Sequence, residues 1–350
     1  MKIAIDLTPL YGRKRTGVEM YAIDLYKALL TTGHEIVPIF HVENEIDNNP
    51  NAIIIKFTNR ILLENIKLPY TIRKIQADVT MFPIFPPPID LYINSPSQIV
   101  PVIHDVAFIE FYSTLKKTAK YYLTPKYKLA LKSADYIVTI SEDARNKIRK
   151  YSNLKILNWK ENISTDFKLD KLCINSKLLE RFALNKYNYY ISVSTIEPRK
   201  NLKYLLNTIR QELETSQKKL VLVGRQGWGE DKELNMLFGE LKDNIIFTGY
   251  ISLDMMQTLY HYAYAFTLLS VEEGFGRTPL EAIACGCKRI IVSDIAVFHE
   301  TLKESANYLP LDKEEVVRMT FLKNDWKKVQ EDFSIPFDAL EKNICFMASI

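Results

Sequence analysis

The sequence predicts an α/β chain of two Rossmann-like domains, each a parallel sheet carrying helices. Three observations predict it. Residues 2–40 run strand, glycine-containing loop, helix, strand, which is how such a domain begins. The same plan returns at 190–223 and again at 264–292. The 350 residues are 47% hydrophobic and 25% charged, enough for two cores, and their charge is uneven. Residues 1–165 carry 22 Lys/Arg against 16 Asp/Glu, whereas residues 166–350 carry 24 against 26. That asymmetry puts the positive surface on the first half and supports domains 1–170 and 171–335.

In order, Lys2–Leu7 reads as the first strand and is followed by Arg13, Lys14, Arg15, Thr16 and Gly17. A helix is predicted from Val18 to Leu30, with Met20, Ile23, Leu25, Ala28 and Leu29 apolar and Gly33 as its stop. The strand Glu35–Phe40 follows. The G-x-G-x-x-G fingerprint is missing, so a nicotinamide cofactor is not supported. Asn- and Asp-rich residues 41–60 read as a surface loop, 61–75 as helical, and Val79–Phe82 as a strand before Pro86-Pro87-Pro88. The next strand, Gln98–Ile103, ends in His104-Asp105. A polar pair at the carboxyl end of a parallel strand is where such folds keep their chemistry, although a histidine satisfied at a strand end is equally a structural residue.

Between Tyr112 and Lys132 there are six lysines, no acid, and Tyr112, Tyr121, Tyr122 and Tyr127. Such a helix either rests on an anionic membrane surface or shows a solvated lysine face, and both readings are open. No recognition motif accompanies the charge, so nucleic acid is not expected. The strand Ala134–Ile140 enters a helix with Ser141 as N-cap and acids in its first turn.

The second domain opens around Leu184–Tyr189. Strand Tyr190–Ser194 leads through Thr195-Ile196-Glu197-Pro198-Arg199-Lys200-Asn201 into a helix ending near Leu213. Cations in a strand-to-helix loop suit a diphosphate. Strand Leu220–Val223 ends at Gly224-Arg225-Gln226-Gly227-Trp228-Gly229, and Ile245–Phe247 precedes Thr248-Gly249-Tyr250-Ile251. After the central motif come strand Arg289–Val292, helix Val297–Leu302, a charged helix around 312–322 and an amphipathic tail, Pro336 to Met347.

The central motif is Ser270-Val271-Glu272-Glu273-Gly274-Phe275-Gly276-Arg277-Thr278-Pro279-Leu280-Glu281-Ala282-Ile283-Ala284-Cys285-Gly286. It follows the buried strand Tyr264–Leu269. Pro279 suits a first helical turn, and Gly286 a helix stop. Strand, glycine loop, helix leaves backbone N–H groups aimed at an anion. Glu273 and Glu281 bracket the helix start. Were the segment wholly helical, their Cα atoms would lie roughly 12 Å apart at ~1.5 Å per residue. A nucleotide-sugar spans that distance, and a carboxylate accepts two hydroxyl protons at once. On the residues alone, a solvated helix glutamate and a loop acid explain the pair as well.

The order Glu-Gly-Phe-Gly-x-x-Pro-Leu-Glu-Ala-x-Ala-Cys-Gly closely resembles the E-x7-E signature of retaining glycosyltransferases of family 4. The resemblance covers most of residues 1–310, and its specific motifs lie in 194–201 and 248–286. It implies the GT-B architecture, two Rossmann-like domains facing each other across a cleft, with the tail 336–350 crossing back to the first domain. It implies catalytic roles for Glu273, His104 and Lys200. Thr16 and Gly17 match the loop that faces the donor diphosphate, although Gly17 equally serves a turn alone. Glu-Pro-Arg-Lys-Asn is a frequent form of the loop whose lysine contacts phosphates, which assigns that role to Lys200 and a weaker one to Arg199. Tyr250 and Ile251 match the base-binding edge, though packing explains them too. Gly224, Phe275, Gly276, Arg277 and Thr278 complete the donor site, and Glu281 holds ribose. Arg277 stands where an apolar residue is more usual. Ser194 and Thr195 stand where some relatives carry an arginine; a subgroup with a small residue there is the preferred reading.

The expected reaction is transfer of a hexosyl unit from a nucleotide-sugar donor to an acceptor hydroxyl, with retention of anomeric configuration. No Asp-x-Asp is seen, so no metal and no cofactor are expected. Loop 194–201 and Gly227-Trp228-Gly229 resemble bacterial O-antigen mannosyltransferases, making GDP-mannose the first expectation beside UDP-hexose and dTDP-rhamnose. The expected acceptor is a glycan, oligosaccharide or polyprenyl-diphosphate-linked, of bacterial surface polysaccharide. Two rivals stand: a nucleotide-sugar epimerase of the same fold and a catalytically silent nucleotide-binding partner subunit. No apolar run nears the ~18 residues of a membrane span, and the first residues do not read as a signal peptide. A cytoplasmic protein, at the inner face of the plasma membrane if the basic half docks there, is expected. Cys173, Cys285, Cys287 and Cys345 form neither a disulfide framework nor a zinc spacing.

Overall fold

The computed structural model describes residues 1–12, 17–41, 49–56, 59–225, 231–311, 336 and 339–347, the side chains of 345–347 excepted. The chain divides into two compact units. One comprises Met1–Tyr112, Lys117–Asn162 and Phe337–Ile350, and the other Ser113–Lys116 and Ile163–Pro336.

In the first unit, β1 (Lys2–Asp6), β2 (Glu35–Phe40), β3 (Ile53–Ile54), β4 (Val79–Phe82) and β5 (Gln98–Pro101) form a parallel sheet in the order β3-β2-β1-β4-β5. β6 (Ile137–Thr139) pairs with β7 (Ile156–Asn158), and a Val102–Val138 bridge joins that pair to the end of β5. Strands covered on both faces are apolar on both, and Ala4, Ile5, Met81, Phe82, Val100 and Val138 are all buried. Helix α1 (Gly17–Leu30) buries Tyr21, Ala22, Leu25, Tyr26 and Leu29. Gly33 then turns the chain at φ 72°. The stretch expected to be helical near 61–75 is three joined pieces: Arg60–Leu62, a π-helical turn at Leu63–Lys67, and α2 (Leu68–Ile75). The lysine-rich segment is a 3-10 turn at Tyr112–Thr114, then from residue 117 a helix that passes through a second π-turn at Ala119–Leu123 into α3 (Thr124–Ser133). Ser141 caps α4 (Glu142–Ile148), its Oγ accepting from Ala144 N at 3.0 Å. The C-terminal helix Ala339–Met347 packs on α1, burying Leu340 and Ile344.

In the second unit, β8 (Tyr189–Val193), β9 (Lys219–Val223), β10 (Ile245–Gly249), β11 (Ala265–Leu268), β12 (Ile290–Ser293) and β13 (Asn307–Leu309) are parallel in the order β10-β9-β8-β11-β12-β13. Helices α5 (Leu202–Thr215), α6 (Lys232–Glu240), α7 (Leu253–His261), α8 (Arg277–Ala284) and α9 (Ala296–Leu302) connect them. Leu202, Leu205, Leu206, Ile209 and Leu213, one face of α5, pack with Leu220, Leu222 and Ala265 of the sheet.

Both sheets reverse their winding at one central pair, β1/β4 in the first unit and β8/β11 in the second. Loops leaving the carboxyl ends of such a pair part in opposite directions and open a crevice. Strands β3, β7 and β13 have two or three residues each, too few for a sequence period to register. Thus 41–60, expected as loop, holds Ile53–Ile54, which pairs with Ile39 and Phe40. The expected charged helix around 312–322, Gly227-Trp228-Gly229 and Thr16 lie outside the described residues.

Candidate active site

The central pair of the second sheet positions the site. β8 ends at Val193 and passes through residues 194–201 into α5, while β11 ends at Leu268 and passes through 269–276 into α8. The two loops are tied by Val271 N donating to Arg199 O at 2.8 Å. The hydroxyl of Ser293, at the end of the neighbouring β12, donates to Ser270 O.

Between the loops lies a buried charge cluster. Lys200 Nζ donates to Glu273 Oε1 at 2.6 Å, and Ser270 Oγ donates to the same oxygen at 2.7 Å. Arg199 Nη1 stands 3.6 Å from Glu273 Oε2, while Arg199 Nε pairs with Glu197. Arg199 Nη1 also donates to Glu272 O at 3.3 Å. Lys200 and Glu273 are each only 8% exposed. Such burial is tolerable only because each charge faces the other.

Burial on its own pushes the Glu273 carboxyl up. The Lys200 and Arg199 charges, with hydrogen bonds from Lys200 and Ser270, outweigh it and hold the group below the ordinary carboxylate range. Lys200 is lowered, first by burial and then by the Arg199 charge, against the pull of Glu273 and Glu197. Glu197 is raised by burial despite Arg199 and Lys200. The cluster therefore holds Glu273 as carboxylate with a cation on each oxygen.

Helix α8 begins beside this cluster. Gly276 precedes it at φ 92°, and a Cβ there would meet Phe298 Cε1 at 2.7 Å. Neither a side-chain cap nor a first-turn acid occupies this helix start, which favours an incoming anion. The glycine break also corrects the spacing expectation. Residues 273–276 are loop and Glu281 is the fifth residue of the helix, so the continuous-helix span does not apply. Glu281 accepts from Tyr260 OH at 3.1 Å and lies 3.8 Å from Arg277 Nε. Arg277 is buried, so the departure from an apolar residue puts a charge inside, within reach of Glu281.

Of the other residues singled out, Phe275 is buried and Thr278 half-buried at the same helix start. Gly224 follows β9 at φ 143°, where a Cβ would lie 2.1 Å from Ser194 O. The backbone of the 194–195 loop therefore lies directly against Gly224, and Ile196 N donates to Arg225 O at 2.9 Å. Tyr250 is exposed and Ile251 half-buried just past β10. The structure thus brings Lys200, Arg199, Glu273 and the α8 start together, with Gly224 against the same loop. His104 and Gly17 belong to the first unit. His104 follows β5, its Nε2 2.8 Å from Pro83 O and its ring edge-on to Tyr21 at 5.1 Å. Gly17 is the exposed first residue of α1.

Sequence reasoning missed Ser270, Tyr260 and the pairing of Glu197 with Arg199. Glu197 was visible as an acid two residues from Arg199. Ser270 and Tyr260 carried no signal, since only the fold sets them against Glu273 and Glu281.

Residues 176–316 match the family described as Glycosyl transferases group 1. The chain is 29% identical over 214 residues to the O-antigen chain mannosyltransferase RfbU of Salmonella typhimurium, a match covering 61% of this chain and 57% of that protein. It is 25% identical over 313 residues to the O-antigen chain mannosyltransferase B of Escherichia coli, covering 83% of this chain and 82% of that one. Among solved structures, Anabaena Alr3699/HepE in complex with UDP-glucose superposes with a TM-score of 0.67 at 16% identity, over 100% of this chain and 94% of that one. WaaG, a glycosyltransferase involved in lipopolysaccharide biosynthesis, superposes with a TM-score of 0.65 at 14% identity, over 99% and 95%. The fold is GT-B, and residues 176–316 are similar to the glycosyl transferases group 1 family.

Proposed function

We propose that this chain is a retaining glycosyltransferase that moves a hexosyl unit, first mannose from GDP-mannose, to a hydroxyl of a glycan acceptor in bacterial surface polysaccharide synthesis. The acceptor is oligosaccharide or polyprenyl-diphosphate-linked and is met at the cytoplasmic face of the membrane. The observation that carries the reading is the Lys200–Glu273–Arg199 cluster at the start of α8. The two O-antigen mannosyltransferases support the choice of sugar.

Departure of the nucleotide diphosphate builds negative charge. Lys200, Arg199 and the backbone N–H groups at Gly276, Arg277 and Thr278 offset it without a metal. An ammonium carries three N–H donors, so Lys200 can hold Glu273 and a phosphate oxygen together. Glu273, kept ionised, orients sugar hydroxyls and stabilises positive charge developing at the anomeric carbon. Its two cations keep it from becoming a strong nucleophile, which favours same-face attack in which a leaving phosphate oxygen takes the acceptor proton. Glu281, steadied by Tyr260, holds ribose hydroxyls. Tyr250 and Ile251 flank the base beyond Gly224, and the roles of His104, Thr16 and Gly17 are those the resemblance implies.

The test incubates the purified chain with GDP-mannose, UDP-glucose or dTDP-rhamnose, with and without a lipid-linked oligosaccharide acceptor. Free nucleotide should appear only with acceptor, and the product should keep the donor's anomeric configuration. Glu273→Gln and Lys200→Met should each lower turnover about 100-fold or more while remaining folded. Turnover that persists in both variants would refute the assignment. Sugar conversion without acceptor would identify an epimerase, and nucleotide binding without transfer a partner subunit.

A further inference from the structure

A face of the first unit carries a patch with an unusual composition. In the joined helix 60–75, Leu63, Leu68, Ile72 and Ile75 point inward and are buried. Leu62, Ile66 and Tyr70 recur every fourth residue on the outside, with Ile66 59% exposed and Ile61 beside them 60% exposed. A helix apolar on its outer side as well as its inner one is out of place in water. The stripe does not stand alone. Asn65 Nδ2 donates to Tyr122 OH at 2.8 Å, and Tyr122 OH donates to Glu64 Oε2 at 2.8 Å, which locks this helix against segment 119–123. The preceding residue, Tyr121, is 75% exposed.

The net charge on this face is positive, although Arg73 is paired with the exposed Asp90. Residues 65–77 contain Lys67, Arg73, Lys74 and no acid, and residues 117–134 contain five lysines and no acid. The acid between them, Glu64, is buried and held by Arg60 and Lys126. Between the edge strand β3 and the helix runs a groove of about 390 Å³ with Ile53–Ile55 and Ile75 along it and Lys56, Lys67 and Lys74 at its rim. Lys74 Nζ lies 4.6 Å from the centre of the Tyr70 ring, so cation and apolar surface meet at one point.

We infer that this face docks on an anionic phospholipid bilayer, with Ile61, Leu62, Ile66, Tyr70 and Tyr121 entering the headgroup layer and the lysine-rimmed groove receiving a lipid phosphate. Charge complementarity selects this occupant. An acidic interface attracts clustered lysines, and the apolar stripe gains only where hydrocarbon lies just beneath. Among the described residues no helix is long and apolar enough to cross a membrane, so the contact is peripheral. The inference extends the basic segment after Tyr112 to a second helix and a groove, and it does not depend on which sugar is transferred or on transfer at all.

The experiment is co-sedimentation of the full chain with vesicles of phosphatidylcholine alone and with phosphatidylglycerol added, at low and high salt. Binding should appear only with the anionic lipid and fall as salt rises. Lys67→Ala/Lys74→Ala should weaken it about 30-fold, a factor of about five per lysine. Ile66→Ser/Tyr70→Ser should weaken it at least tenfold, with an unchanged unfolding midpoint because both side chains are exposed. Equal binding to neutral vesicles, no binding, or wild-type binding by both double variants would overturn the proposal. So would a dimer in light scattering that Ile66→Ser/Tyr70→Ser dissolves, since the stripe would then be the seat of a second copy of the chain.

Discussion

Replacing Lys200 by Met tests the central charge cluster most directly. At 2.6 Å and an effective dielectric constant near 20, the Lys200–Glu273 pair attracts by about 6 kcal/mol before desolvation is subtracted. Removing one partner of a buried pair costs roughly 3–5 kcal/mol, because the other charge is left without compensation. Glu273 would keep Arg199 at 3.6 Å and the Ser270 hydroxyl at 2.7 Å, so the lower end applies, about 3 kcal/mol. Glu273→Gln should cost less, since Lys200 is already lowered and can shed its proton. The double variant, with neither charge, should fall within about 1 kcal/mol of the wild type, giving a coupling of at least about 2 kcal/mol. Urea unfolding of the four proteins at neutral pH measures it. As Glu273 is depressed, its contribution is present above the unfolded carboxylate pKa and is lost as pH falls through the folded value. The coupling should therefore fade in acid. Additive single-variant losses at neutral pH would show that the two charges do not stabilise each other, and the reading of the cluster would fail.

Asp6, buried at the end of β1, is raised from 3.8 to about 6 by burial, which outweighs hydrogen bonds from Thr8. A carboxyl raised in the folded state contributes stability below its unfolded pKa and loses it as pH rises through the folded value. Ionising it should cost up to ~3 kcal/mol at neutral pH. Asp6→Asn should thus raise the unfolding free energy at pH 7.5 and leave it nearly unchanged at pH 4; a gain of equal size at both would be inconsistent with titration. Gly224→Ala and Gly276→Ala should differ although both have positive φ. A Cβ at Gly224 meets a backbone oxygen that cannot move aside, whereas one at Gly276 meets the Phe298 ring, which can turn. Losses of roughly 4 kcal/mol or more and roughly 2 kcal/mol are expected in chemical unfolding, and the reverse order would contradict the geometry.

Much of the architecture was legible because a parallel sheet buries both faces of its strands. Strict alternation of apolar and polar residues does not arise there; instead Leu220–Val223 and Ile290–Val292 show as unbroken apolar runs closed by glycine or polar residues. Edge strands such as Ile53–Ile54 have no such run, and the two π-turns leave no mark in a pattern read at helical spacing. The loop cations and the paired glutamates were visible as residue types. Their partnership was not.

Local apolar runs and glycines are enough to dictate the two-domain α/β plan, its strand–loop–helix units and the charged residues at their turns. That much is written in the order of the amino acids. The meeting of Lys200 and Glu273, 73 residues apart, in one buried hydrogen bond belongs to the folded chain alone. So do the completion of that pair by Ser270 and the outward facing of Leu62, Ile66 and Tyr70. Distant loops meet according to which strands lie side by side, and strand order is set by the packing of the whole sheet.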